Sequence, residues 1–131
     1  SIIEKNYISK KIHYGWDKDN NEAYNNFKKL KFFLNLNGMK SVNYTLYDFD
    51  KKNLPIAKFD YVISLYSLDY HYDFNFYKEY FKKILTKNSI LIFDTIRPDY
   101  FFELFEDVKI IKSEQKNIHS SKRVLCKGSK F

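Results

Sequence analysis

Apolar positions along this chain change their spacing repeatedly, and each change marks an element. Ile2, Ile3 and Ile8 share one side of residues 1 to 8, which read as the end of a helix. In "KKIHYGWD", residues 10 to 17, Ile12, Tyr14 and Trp16 alternate with His13 and Gly15 at the two-residue period of a strand that stops at Asp17. From 20 to 35 the period becomes helical, because Ala23, Phe27, Leu30 and Leu34 recur at spacings of four, three and four. Asp19 with Glu22 forms a capping box for that helix, and Asn37-Gly38 supplies its left-handed stop.

A second strand, "SVNYTLY" at 41 to 47, runs into Asp48 and Asp50. A third occupies 59 to 65, where Phe59, Tyr61, Val62, Ile63 and Leu65 are almost continuous before the chain turns polar in "SLYSLDYHYDF". Phe74, Tyr77, Phe81, Ile84 and Leu85 then fall on one face of a helix at 74 to 85. "SILIFD" at 89 to 94 is a buried strand ending in an acid, and Pro98 opens a short helix with Phe101, Leu104 and Phe105. "DVKIIKSEQK" and "SKRVLCKG" follow each other with no helix between them and read as an antiparallel pair. Such alternation predicts an α/β domain with a mainly parallel sheet covered by helices on both faces.

Composition narrows the class. The 131 residues suit one domain, and 13 Phe with 12 Tyr provide a large core. The formal charge of +7 permits an anionic partner, but the 23 basic residues are scattered rather than clustered. No apolar run reaches the roughly 18 residues of a membrane span, so a soluble, cytoplasmic protein is expected. A lone Cys126 makes no internal disulfide and reads as a small core side chain, and no set of histidines and acids has metal-ligand spacing.

Three predicted strands, "HYGWD", "YTLYDFD" and "VISLYSLDYHY", end in acids or polar residues that a parallel sheet would bring to one edge. On those residues the chain resembles the class I methyltransferases that use S-adenosylmethionine on a Rossmann-like open sheet. The likeness runs from that family's second strand to its closing antiparallel pair. It implies that Asp17, flanked by Trp16, accepts hydrogen bonds from the ribose hydroxyls, as an ionised carboxylate accepts two donors. It implies further that Asp48, with Asp50 as its neighbouring alternative, meets the adenine amino group while Phe49 packs on the ring. Ser64, Leu65 and Tyr66 would pass beneath the methionine portion. The family's glycine-rich first turn is absent, since Gly15, Gly38 and Gly128 lie far apart, and its first strand is missing too. Both absences are expected if the natural protein begins upstream of Ser1.

Methyl transfer from a sulfonium chiefly requires alignment of donor and acceptor. A hydroxyl acceptor also needs a base, and His71, with an ordinary pKa of about 6.5, is the candidate. Asp69 would orient His71 or cap the next helix, in competition with Asp73. Tyr70, Tyr72, Asp94 and Arg97 would contact the acceptor, the arginine by gripping a phosphate or carboxylate. Where amino-methylating enzymes of nucleic acids carry Asp/Asn-Pro-Pro-aromatic this chain has "SLYSLDY", and it has no Pro-Cys nucleophile. The expected reaction is therefore O-methylation of a small molecule such as a sugar or surface-polysaccharide precursor. An RNA-binding protein or RNA methyltransferase, and a non-catalytic partner subunit, are the alternatives.

Overall fold

The computed structural model describes residues 1–4, 27–48, 54–69, 73–113 and 121–131. The chain divides into two compact units, Ser1–Pro55 and Ile56–Phe131.

In the first unit β1 (Ile2–Glu4) lies parallel to β2 (Leu46–Asp48), with Ile2 opposite Leu46 and Glu4 opposite Asp48. The expected helix over 1 to 8 is therefore a strand where it is described. Consecutive β-branched Ile2 and Ile3 fit a pleated pair better than a helical turn. The expected strand at 41 to 47 is likewise shorter: Ser41–Asn43 forms a 3-10 turn and pairing begins only at Leu46. Helix α1 (Phe27–Leu36) buries Leu34 and ends where Gly38, at φ 79°, donates its N–H to Asn35 O at 3.0 Å. Met39 N–H reaches back to Leu34 O at 2.9 Å, so two carbonyls of the last turn are satisfied.

The second unit is built on a four-stranded sheet in the order β3-β4-β6-β5, from β3 (Tyr61–Ser64), β4 (Ile90–Thr95), β5 (Phe105–Ser113) and β6 (Lys122–Ser129). Only β3 and β4 are parallel; β6 runs antiparallel to both β4 and β5. This overturns the Rossmann-like expectation of an open, mostly parallel sheet with helices on both faces, although the last two strands do pair antiparallel. The sheet is mixed, a separate two-stranded parallel sheet stands in the other unit, and β6 lies between β4 and β5. Among the described residues of this unit the α-helices are also short: α2 (Lys78–Ile84) has seven residues and α3 (Asp99–Leu104) six.

Both short helices serve one face of the sheet. Leu91 and Phe93 of β4 and Val124 and Cys126 of β6 point into a core shared with Phe81 and Ile84 of α2 and Phe101 of α3. Phe74 stands at its centre, with ring centroids 5.2 Å from Phe81, 5.9 Å from Phe93 and 5.1 Å from Phe101. Phe74 opens a 3-10 turn, Phe74–Tyr77, where an α-helix was expected to begin. Asp73 starts that turn by accepting the Asn75 N–H at 2.8 Å. On the opposite face Tyr61 and Ile63 of the edge strand β3 are exposed. Among the described residues no helix is long and apolar enough to cross a membrane.

Candidate functional site

Parallel pairing sets Ser64 opposite Phe93, so β3 and β4 release their polar continuations at the same edge. Ser64 Oγ accepts the Leu68 N–H at 3.1 Å and tightens the turn that follows β3. Within this turn Tyr66 (φ 54°) and Asp69 (φ 57°) hold left-handed backbone without being glycine. A bulky residue in that region is uncommon and persists only where its surroundings hold it.

The last two residues of β4 supply the hold, and they do so from opposite faces of the sheet. Asp94 Oδ2 accepts the Tyr66 N–H at 2.9 Å. Thr95, pointing the other way, donates its hydroxyl to Asp69 Oδ2 at 2.6 Å. Each buried carboxylate then has an arginine. Antiparallel register places Arg123 of β6 directly opposite Asp94, and Nε and Nη2 meet the two carboxylate oxygens at 2.9 and 3.1 Å. Hydrogen bonding to Asp94, working against desolvation, raises the pKa of Arg123, whose guanidinium also lies 5.7 Å from the Tyr66 ring centre.

Arg97 performs the matching task for Asp69. Its Nε lies 3.1 and 3.2 Å from the two Asp69 oxygens, and its Nη2 bonds both Asp69 and, at 2.9 Å, Asp73. Asp69 Oδ1 further accepts the Phe74 N–H at 3.3 Å. The bond to Asp69 raises the Arg97 pKa, while the Asn75 backbone N–H, followed by Arg97, lowers that of Asp73. Tyr100 lies under the guanidinium, 4.7 Å from ring centre to Cζ, and donates its hydroxyl to Asn75 Oδ1 at 2.6 Å. The arrangement is a loop clamped by two ion pairs, with Leu65 and Tyr66 presented outward at 47% and 43% exposure.

Of the expected site residues, Ser64, Leu65, Tyr66, Asp69, Asp94 and Arg97 are thus gathered at one edge of the second unit. Asp48 is the half-buried last residue of β2 in the first unit. Trp16, Asp17, Phe49, Tyr70, His71 and Tyr72 lie outside the described residues. Asp94 and Arg97, expected to face an acceptor, are each matched to an opposite charge within the chain. Arg123 and Thr95 escaped the sequence reading because only strand register brings them to this edge. Among the described residues no group of three or more histidines, cysteines and acids is placed to hold a metal ion.

The sheet's opposite edge has a groove of about 390 Å³ lined by Lys87, Asn88, Glu106, Asp107, Lys127 and Gly128. It is open and its charges are mixed in sign, with Lys87 3.7 Å from Glu106. No protein-family model, curated protein or solved structure matches the chain.

Proposed function

We propose that the protein transfers a methyl group from S-adenosylmethionine to a hydroxyl of a small molecule. The observation that carries this reading is the loop after β3: two non-glycine residues in left-handed backbone, each tied to the end of β4, present Leu65 and Tyr66 at the edge where the parallel strands β3 and β4 end together. Residues 64 to 66 are the ones whose counterparts, by the sequence resemblance, pass beneath the methionine portion of the donor. A thioether or sulfonium chain requires apolar and aromatic surface more than hydrogen bonds, and Leu65 and Tyr66 offer both.

Bound donor would lie against Leu65 and Tyr66 and would supply an electrophilic methyl group, leaving as a neutral thioether. The chain's part is placement. The acceptor proton needs a base within hydrogen-bond reach, the role assigned to His71. Arg97, whose side chain is 39% exposed, reaches solvent beside its more weakly held partner Asp73. An anionic acceptor group would compete with Asp73, not with the buried Asp69, for that outer edge.

Titration calorimetry of the intact protein with S-adenosylmethionine tests the reading. Saturable heat is expected, followed by transfer of labelled methyl to small hydroxyl compounds. Absence of any saturable heat removes the donor and leaves the RNA-binding protein and the non-catalytic subunit.

A further inference from the structure

Tyrosine is a costly choice for residue 66. Glycine or asparagine would take a φ of 54° with less strain. The ring is therefore kept at a position that must be forced into shape, and the force comes from outside the loop. Asp94 holds the Tyr66 N–H, yet a carboxylate only 4% exposed is stable as an anion only if a cation accompanies it. Arg123 is that cation. It meets Asp94 with two parallel bonds and lies against the Tyr66 ring, so that one side chain from the last strand touches residue 66 both through its backbone partner and through its ring.

We propose that Arg123 is a positioning residue of the donor site, acting through Asp94 and the Tyr66 ring to hold residue 66 in the conformation that presents it to the methionine portion of S-adenosylmethionine. The assignment rests on the methyl-donor reading above. It requires the planar fork of arginine, since lysine offers a point charge that cannot span both carboxylate oxygens while lying over a ring.

Two variants test it. Arg123→Lys keeps the charge and loses the fork. The pair Asp94→Asn with Arg123→Met removes both charges together and leaves a side-chain oxygen for the Tyr66 N–H, so no buried ion is stranded. Thermal melts followed by circular dichroism confirm that both are folded. Amide hydrogen exchange at Tyr66 and calorimetric affinity for S-adenosylmethionine and S-adenosylhomocysteine are then measured on the full chain. Faster exchange at Tyr66 with affinity weakened about tenfold or more is expected, the usual scale for misplaced binding groups. If the wild type binds donor and the folded variants bind it equally well, or if Tyr66 exchange is unchanged, the positioning role is overturned and the donor reading stands. If the wild type binds neither compound, the donor reading falls and the positioning role with it.

Discussion

Arg97 places its Nε 3.1 and 3.2 Å from the two oxygens of Asp69, a carboxylate whose side chain is wholly withdrawn from solvent, while its own side chain remains 39% exposed. The asymmetry decides what each residue contributes. Removing Asp69 strands a cation that still reaches water, so the cost falls below that of a fully buried broken pair. Asp69→Ala is expected to lower unfolding free energy by about 2–3 kcal/mol. Asp69→Asn, which tolerates left-handed backbone and still accepts hydrogen bonds, should lose about half as much. Urea denaturation at neutral pH measures both; a loss in Asp69→Ala of no more than about 0.5 kcal/mol, the ordinary scatter of surface changes, would contradict the clamp.

Two neighbouring phenylalanines separate core from surface. Phe74 is fully buried among Phe81, Phe93 and Phe101, whereas Phe76, two residues on in the same turn, is 86% exposed. Phe74→Ala should cost about 3–5 kcal/mol through lost burial and the cavity left behind. Phe76→Ala should stay within about 0.5 kcal/mol of the wild type. Equal losses in thermal melts would show that this core is placed wrongly.

What could be read from the chain follows a physical divide. "YVIS" and "ILIFDT" announce strands because β-branched and aromatic residues run together there, and the phenylalanines at 74, 81 and 101 mark the helical core face locally. Sheet order is not local. That β6 enters antiparallel between β4 and β5 depends on pairings such as Asp94 with Arg123, which lie 29 residues apart and leave no trace in either segment's own period. The same limit hid Arg123 and Thr95 from the candidate site, while Ser64, Leu65, Tyr66 and Asp69 were visible because they abut a strand end. At the amino end, the spacing of Ile2, Ile3 and Ile8 mimics a helical side, although the β-branching of Ile2 and Ile3 suits the strand that forms.

Gly128 and Gly38 both have positive φ but differ in surroundings. A Cβ at Gly128, φ 68°, would stand 2.7 Å from Glu106 Oε2 and 2.8 Å from Glu106 Cβ, whereas one at Gly38 meets nothing within 4 Å. Gly38→Ala should therefore show only the left-handed backbone cost of about 1–2 kcal/mol. Gly128→Ala should exceed it, and the excess should shrink in a Glu106→Gly background, which removes the Cβ as well as the carboxylate. Additive effects in that double-mutant cycle would exclude the steric contribution.

Cys126 gives the stability a signature at high pH. Burial, followed by the charge of Asp107, pushes its thiol up to about 12. The thiolate is the reactive form, so at pH 8 the folded protein should resist a thiol reagent that labels it promptly in denaturant, where the thiol returns to about 8.5. The sign of the linkage follows. A thiol pKa higher in the folded state means that the folded protein retains a proton the unfolded chain releases; the associated stability is complete below about 8.5 and declines as pH rises from there toward 12. Over that window each pH unit should remove up to about 1.4 kcal/mol. Cys126→Ala lacks the titrating group, so it starts less stable from its lost packing but should lose less as pH rises. Urea denaturation of both proteins between pH 8 and 11 checks this, because lysine and tyrosine titrations common to the two cancel in the difference. Parallel pH profiles would mean that Cys126 is not held in the apolar surroundings between β4 and the helices that the fold assigns to it.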